Sequence, residues 1–198
     1  LGDIEGDGHL DIVVGQGQSL GVTVYRKGNQ DTFHSGGAFS ISGIAAFRSY
    51  VALADLNNDG SLDIFVANCC GGDVVSPAYE PLYSPDLVWL NNGAGHFRRN
   101  GQQLAQTGSN AAALGDVNGD GFVDAFIAGG RTANASDINT AKTPNTVWYN
   151  DGMGQFSDSG QRLGQMESMA VALGDLNGDG FLDAGVGNRG PDEVWFND

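Results

Sequence analysis

The chain has 198 residues, of which 40% are hydrophobic, so it can bury one good core. It contains 32 glycines and only 5 prolines, which indicates a folded chain with many tight turns. The formal net charge is −15, and no cluster of Lys and Arg could follow a phosphate backbone, which argues against a nucleic-acid partner. No apolar run approaches the ~20 residues of a membrane-spanning helix, so we expect no membrane insertion.

The start of the chain and its cysteines give limited information. The sequence begins at Leu1, inside its first motif and without a signal peptide, so we expect a mature or excised piece of a longer polypeptide. The only cysteines, Cys69 and Cys70, are adjacent and cannot join distant elements. A vicinal disulfide in an oxidising compartment and two free, partly buried thiols both remain open.

Four acidic segments align without gaps and recur about once every 60 residues, the spacing of a supersecondary unit. Each is an Asp-rich loop that leads into apolar residues. The segments are GDIEGDGHLD at 2–11, ADLNNDGSLD at 54–63, GDVNGDGFVD at 115–124 and GDLNGDGFLD at 174–183.

A second motif follows each loop and contains a tryptophan in three of the four units. It reads VWLNNGAGHF at 88–97, VWYNDGMGQF at 147–156 and VWFND at 194–198, whereas the first unit keeps only VYRKG at 24–28. Together the two signatures divide the whole chain, 1–198, into four repeats. We place these at 1–47, 48–108, 109–167 and 168–198, the first and last being incomplete.

Each repeat is predicted to form four short antiparallel strands. A strand of small residues precedes the loop, an apolar strand follows it, and the Trp-containing strand is third. The Asn-Asn-Gly or Asn-Asp-Gly sequence predicts a primed hairpin turn to a fourth strand that begins at Phe97 or Phe156. The first and second strands are expected at 50–54, 111–115 and 169–174, and at 62–67 and 122–128, respectively.

No segment has a sustained period of 3.6, so the sequence predicts an all-β fold. Four antiparallel strands per repeat are typical of a β-propeller blade, and about four blades are represented. The first repeat lacks residues for its first strand, and the last ends before its fourth. We therefore expect these blades to belong to a larger propeller or array.

The acidic loop has the form Asp-x-Asn/Glu-x-Asp-Gly-x-x-Asp, which predicts a metal site. Oxygens at positions 1, 3 and 5 of a tight turn converge, the Gly at position 6 permits a positive φ, and the carbonyl of position 7 joins them. An EF-hand would need flanking helices and a Glu at position 12, so we reject that alternative. An all-oxygen site of flexible geometry favours Ca²⁺ over Mg²⁺.

We expect about four Ca²⁺, one per repeat, with position 7 contributing its backbone carbonyl. A set of Asx-rich turns is the alternative, but turns alone do not need an Asp at position 9. The first loop deviates most, with a Glu at position 3 and a His at position 7. The candidate ligands are Asp3, Glu5, Asp7, His9 and Asp11; Asp55, Asn57, Asp59, Ser61 and Asp63; Asp116, Asn118, Asp120, Phe122 and Asp124; and Asp175, Asn177, Asp179, Phe181 and Asp183.

The loops and the Val-Trp-x-Asn-Asn/Asp-Gly motif together resemble the FG-GAP or VCBS repeats of calcium-binding β-propellers. Such repeats occur in integrin α-subunit heads, some fungal lectins and many secreted bacterial proteins, and the resemblance covers nearly the whole chain. It implies a propeller in which extracellular Ca²⁺ has a structural role. It does not define the function, because the family is functionally broad.

We find no catalytic constellation and expect no enzymatic activity. The Gly-x-Ser-x-Gly sequence at 17–21 would need a following helix, and a strand is predicted there instead. The histidines His9, His34 and His96 have no zinc-binding spacing. The repeated tryptophans are interpreted as blade-packing residues rather than as a sugar platform; they are Trp89, Trp148 and Trp195.

Two insertions between the second and third strands distinguish the central repeats, at 68–86 and 129–145. In an up-and-down blade both would lie on the face opposite the acidic loops, where recognition loops are often found. Surface decoration without a ligand is an equal alternative. A glycosylation sequon begins at Asn134. The candidate ligand-binding residues are Tyr79, Glu80, Tyr83, Arg131 and Asp137.

The sequence therefore favours a non-catalytic binding or adhesion module, secreted or at the cell surface, that recognises an extracellular protein or glycan. Two alternatives remain. One is a structural unit that self-associates into a larger extracellular assembly or filament. The other is the non-catalytic propeller portion of a secreted carbohydrate-active enzyme.

Overall fold

A computed structural model of the chain describes residues 1–16, 21–28, 32–39, 48–69, 85–105, 108–130 and 142–198. All regular structure within these ranges is β-strand. No helix long and apolar enough to cross a membrane occurs in this part of the chain. The predicted all-β class is therefore confirmed.

The strands form four antiparallel sheets in which neighbours follow one another in chain order. Each sheet is one propeller blade, as predicted. Blade 1 contains β1 (Ile12–Gln16), β2 (Gly21–Lys27) and β3 (Phe33–Phe39), and blade 2 contains β4 (Arg48–Ala54), β5 (Asp63–Cys69), β6 (Leu87–Asn91) and β7 (Phe97–Arg99). Blade 3 contains β8 (Ser109–Gly115), β9 (Asp124–Gly129), β10 (Asn145–Asn150) and β11 (Phe156–Leu163), and blade 4 contains β12 (Ser168–Gly174), β13 (Asp183–Asn188) and β14 (Glu193–Trp195).

The core consists of apolar layers between successive blades. The second strand of blade 2 is buried along its whole length, because blade 1 covers one of its faces and blade 3 covers the other. This double burial explains why that strand reads as a continuous apolar run rather than an alternating one. Phe65 of blade 2 meets Phe156 of blade 3 edge to face, with ring centroids 5.8 Å apart. Burial of each such ring stabilises the blade contact by about 2–3 kcal/mol.

The tryptophans contribute to these layers, as the sequence analysis predicted. Trp89 packs against blade 1 residues, and Trp148 packs against the layer between blades 2 and 3. Trp195 packs against the layer between blades 3 and 4. The three tryptophans occupy the same position in the third strand of their repeats, so the same packing contact recurs in each interblade layer.

The outer side of blade 4 has no neighbouring blade among the described residues. Leu176 is 57% exposed and Val194 is 53% exposed there. Their counterparts in blade 2, Leu56 and Val88, are completely or almost completely buried by blade 3. This side of blade 4 therefore carries the residue pattern of an interblade face.

The turn between the third and fourth strands differs from the predicted primed hairpin. In blade 2 it spans 92–96, and the side chain of Asn92 accepts the N–H groups of Ala94 (3.1 Å) and His96 (3.3 Å). Gly93 and Gly95 have φ angles of 78° and 70°. The prediction is wrong because an Asn side chain caps a wide loop with two left-handed glycines instead of occupying a two-residue turn.

A buried polar junction ties blades 2 and 3 together at the end opposite the acidic loops. Asp86 is fully buried, and its side chain accepts the N–H of Asn68 at 2.7 Å and the O–H of Ser109 at 2.7 Å. Its counterpart in blade 3, Asn145, accepts the N–H of Gly129 at 2.9 Å. Sequence reasoning missed this junction, although a Pro-Asp or Pro-Asn pair precedes every Val-Trp segment, at 85–86, 144–145 and 191–192.

We predict that Asp86→Asn removes a pH-dependent loss of stability. Burial raises the pKa of Asp86 well above its usual range, although hydrogen bonds from Ser109 and Asn68 act in the opposite direction. Folding therefore favours the protonated acid. The stability that this group contributes is complete below the unfolded-state pKa of about 3.9 and is lost as the pH rises through the folded-state pKa.

Urea unfolding between pH 4 and pH 8 tests this prediction. The wild-type free energy of unfolding should fall relative to that of Asp86→Asn as the pH rises. Asp192→Asn is the matched control, because Asp192 occupies the same position in blade 4 but is exposed. Identical pH profiles for wild type and Asp86→Asn would contradict the prediction.

Candidate metal centre

The four acidic loops share one hydrogen-bond scaffold. In the second loop, the Asp55 carboxylate accepts the N–H groups of Asp59 (3.1 Å) and Gly60 (2.8 Å), and Asp59 accepts the N–H of Ser61 (2.9 Å). The same bonds at positions 1 and 5 occur in the other three loops. The carboxylates at positions 1 and 5 are thus held within one tight turn.

Two positions in each loop have a left-handed backbone. The Gly at position 6 has φ between 84° and 94° in all four loops, as the sequence predicted. Position 4 also has a positive φ, which the sequence analysis did not predict. The residues at this position are Gly6, Asn58, Gly119 and Gly178, and Gly and Asn tolerate a left-handed backbone. The recurrence of Gly or Asn at position 4 could have predicted the positive φ.

The Asp at position 9 is buried and connects three segments of its blade. Asp63 accepts the N–H of Leu56 from the loop at 2.9 Å and the N–H of Asn91 from the third strand at 2.7 Å. Equivalent bonds are made in every blade by Asp11, Asp63, Asp124 and Asp183. Position 9 therefore has a structural role in addition to the predicted role as a ligand.

The electrostatics of the loops favour a bound cation. Burial raises the pKa of Asp63 to about 6; the N–H groups of Asn91 and Leu56 oppose this shift, and the nearby Asp59 and Asp55 add to it. Burial likewise raises the pKa of Asp124, with the same contribution from Asp120 and Asp116. In the second and third loops the acids at positions 1, 5 and 9 are thus close enough to repel one another, and a cation between them would relieve that repulsion.

The residues present fit an oxygen-preferring cation. Position 3 in loops two to four is an Asn whose amide donates to the position 5 carboxylate at 2.8–2.9 Å. Among the described residues, no three His, Cys, Asp or Glu side chains already converge closely enough to hold a metal ion. Each ionised carboxylate nevertheless has about four acceptor sites, so its N–H bonds leave lone pairs for a cation.

The side chain at position 7 differs between the loops, which is consistent with a main-chain rather than a side-chain ligand at this position. The ring of Phe122 lies against Gly152 of the following turn, where an added Cβ would be 2.5 Å from it. Ser61 lies beside the equivalent Gly93. Since hydroxyl and aromatic side chains both occupy this position, the shared group that could reach a cation is the main-chain carbonyl.

Loop one departs from the scaffold at position 3. Glu5 is in an ion pair with Arg26, and the distance between Glu5 Oε1 and Arg26 Nε is 2.9 Å. Its carboxylate therefore does not take the place of the Asn in the other loops. The predicted site residues at positions 1, 5 and 9 of this loop keep the common arrangement.

An Asn at the end of each Trp strand links successive loops, which sequence reasoning missed. Asn150 of blade 3 donates to Leu56 O in the loop of blade 2 at 2.8 Å and to Val123 O in its own loop at 3.0 Å. Asn91 bonds to the loops of blades 1 and 2 in the same way. Asn197 bonds to Val117 O of the preceding loop. The signal in the sequence is the Asn in Val-Trp-x-Asn.

The candidate ligand-binding residues Tyr79, Glu80, Tyr83, Arg131 and Asp137 lie outside the described residues, as does the Asn134 sequon. Cys69 is disulfide-bonded, whereas Cys70 lies outside the described part of the chain. The proposal that the two insertions carry a binding surface therefore stays a prediction.

A surface cavity of about 270 Å³ lies between blades 2 and 3. Blade 3 contributes Trp148 and an ion pair between Arg162 and Asp158, whose nitrogen and oxygen are 2.6 Å apart. Blade 2 contributes Gln103 and Ala105, and Ala105 has a left-handed φ of 29°.

The blades and acidic loops define the class of protein, a β-propeller built from Asp-rich repeats. The sequence profile of FG-GAP-like repeats matches residues 3–66 and 116–186. The chain therefore belongs to the FG-GAP-like repeat family, and the resemblance inferred from the sequence is confirmed.

Two relatives with similar sequences are much longer than this chain. Integrin alpha-V of Gallus gallus is 31% identical over 137 residues, which cover 65% of this chain and 13% of that protein. Cartilage acidic protein 1 of Mus musculus is 28% identical over 173 residues, or 80% of this chain and 24% of that protein. This chain thus spans a minor part of both relatives.

A solved structure shares the fold. An Agrocybe aegerita lectin, described as recognising non-reducing terminal N-acetylglucosamine, superposes with a TM-score of 0.50 at 23% identity. The superposition covers 99% of this chain and 51% of the lectin chain.

We predict that Asn150→Ala destabilises the protein more than Asn197→Ala. Asn150 is buried and serves two carbonyl groups, whereas Asn197 is partly exposed and bonds to one. Each buried carbonyl left without a donor costs about 1–3 kcal/mol. Urea unfolding of both variants measures the difference, and equal losses of unfolding free energy would contradict the prediction.

Proposed function

We propose that the protein is a calcium-stabilised, non-catalytic binding module that works outside the cell. The observation that carries the proposal is the recurrence of a buried position 9 Asp in all four described blades; in blades 2 and 3 two further acids of the same loop lie close enough to repel it. Each of these buried carboxylates accepts two backbone N–H groups, and the negative charge that it shares with the other acids of its loop is left for a cation to balance. Millimolar extracellular calcium would suit sites of modest affinity.

Calcium would be held by the oxygens at positions 1, 3, 5 and 9 and by the carbonyl of position 7. When bound, it would supply positive charge and six to eight coordination bonds to oxygen. The chain's own residues provide the rest of the stabilisation. The position 9 Asp fixes the loop to the third strand, and the Asn that ends that strand fixes it to the preceding loop.

Membership of the FG-GAP-like repeat family supports a binding role, because the similar proteins include an integrin and a lectin. An extracellular location and recognition of protein or glycan are part of the proposal. Of the two proposed kinds of ligand, protein and glycan, the cavity between blades 2 and 3 favours a glycan. The cavity residues Gln103, Asp158 and Arg162 offer hydrogen-bonding groups beside the partly exposed Trp148, which also packs against the layer between blades 2 and 3.

We predict that removing calcium lowers the thermal unfolding temperature. A ligand present at 100 times its Kd stabilises the folded state by about 2.7 kcal/mol per site. Scanning calorimetry with calcium and with EDTA measures this shift. Asp120→Asn should reduce the shift, because it removes one carboxylate charge from the third loop.

Asp151→Asn is the matched control for Asp120→Asn. It removes the same charge from blade 3, at a position where blade 2 naturally has Asn92. An unfolding temperature that is the same in calcium and in EDTA would overturn the calcium proposal.

We predict that binding to a glycan array in calcium depends on the interblade cavity. Gln103→Ala combined with Arg162→Ala should abolish the signal, because both side chains line the cavity and neither is buried in the core. Arg98→Ala, at an exposed position on β7, is the control. Unchanged glycan binding by the double variant would place the glycan site elsewhere.

A further inference from the structure

Arg26 and Glu5 form a partly buried ion pair in blade 1. Arg26 Nε lies 2.9 Å from Glu5 Oε1, and both side chains are 28% exposed. Arg26 Nη2 also donates to the carbonyl of Gly95 in the turn of blade 2, at 2.9 Å. The guanidinium thus lies between the first acidic loop and the neighbouring blade, held by the Nη2 hydrogen bond to Gly95 and by charge attraction to Glu5.

Alignment of the repeats shows that both partners replace residues of another kind. Glu5 stands where the other loops have Asn57, Asn118 and Asn177. Arg26 stands where the third strands of the other blades have an apolar or aromatic residue: Leu90, Tyr149 and Phe196.

Contacts confirm that Arg26 and Leu90 occupy equivalent places. A Cβ added to Gly95 would meet Arg26 at 2.7 Å, and a Cβ added to Gly154 would meet Leu90 at 2.9 Å. Blade 1 therefore has an acid and a base, at two positions in contact, where the other blades have uncharged residues.

The pair changes what the first loop offers a cation. In the second loop, the Asn57 side chain bonds to Asp59 at both of its ends, which holds its oxygen beside the carboxylates of that loop. In the first loop, the Glu5 carboxylate is engaged by Arg26 instead. A cation there would share the Glu5 carboxylate with Arg26 and would also lie near a fixed positive charge.

We propose that the first loop is the weak cation site of the four, because the Arg26 guanidinium compensates its extra acid from within the chain. This inference rests on the proposed function, in which the loops bind calcium. Disturbing the outer-shell contact that orients a ligand typically lowers metal affinity by about 10- to 100-fold, so we expect a difference of that order between the first loop, where Arg26 engages the position 3 side chain, and the others.

Reciprocal exchange between two blades tests the inference. The double variant Glu5→Asn with Arg26→Leu gives blade 1 the residues of blade 2, and Asn57→Glu with Leu90→Arg gives blade 2 the residues of blade 1. Calcium bound per chain is counted by equilibrium dialysis with metal analysis at a free concentration that saturates only tight sites. Native mass spectrometry on the same samples checks the count.

The first double variant should bind one more tight calcium than the wild type, and the second should bind one fewer. Circular dichroism in saturating calcium confirms that each variant is folded. The wild-type titration alone is also informative, because it should show one site at least about tenfold weaker than the rest.

Two results would overturn the inference, and they differ in meaning. Equal affinity at all loops, unchanged by either exchange, would show that the Arg26 pair does not affect cation binding while leaving the calcium proposal intact. No calcium bound to the wild type at saturating concentration would overturn both the inference and the proposed function.

Discussion

The buried carboxylate at position 9 of each acidic loop is the interaction on which the blade depends. One oxygen of Asp63 accepts an N–H from the loop and the other accepts an N–H from the third strand. A carboxylate without access to water requires such partners, and here the partners belong to segments that would otherwise separate. The start of the second strand, the shape of the loop and the position of the Trp strand all follow from it.

The same carboxylate creates the electrostatic problem that a cation would solve. Two further acids lie close to Asp63, and burial together with their charge makes its ionised form costly. Blades 2 to 4 have an uncharged Asn at position 3, so under the proposed function a cation from solution would balance the charge of their loops. Blade 1 adds an acid and supplies an internal guanidinium, so one architecture contains two ways of balancing charge.

The fold could be predicted from the sequence because each repeat contains short motifs that determine its local structure. The Asp-rich loop, the Gly at position 6 and the Val-Trp strand each determine structure within a few residues of themselves, and the blades formed as expected. The prediction of a primed hairpin turn after Asn91 was wrong, because Asn-Asn-Gly is compatible both with a two-residue turn and with the wider loop that Asn92 caps.

The contacts between blades could not be predicted in the same way. Asn150 bonds to a carbonyl 94 residues away, and the partner is visible only when the blades are stacked. The Asp86 junction joins groups from two blades across an insertion, although its Pro-Asp pattern recurs in the sequence. The Glu5 and Arg26 pair could have been suspected from the sequence, because both residues differ from their counterparts in the other repeats and both lie in the first repeat.

The Asn at the end of each Trp strand gives the array a direction. Each of these side chains reaches the loop of the preceding blade, and the bonds described run the same way at all three blade contacts. A loop that distorts would therefore disturb the hydrogen bonds of the next blade toward the carboxyl terminus. Local unfolding that starts in one loop would reach the blades that follow it in the chain before those that precede it.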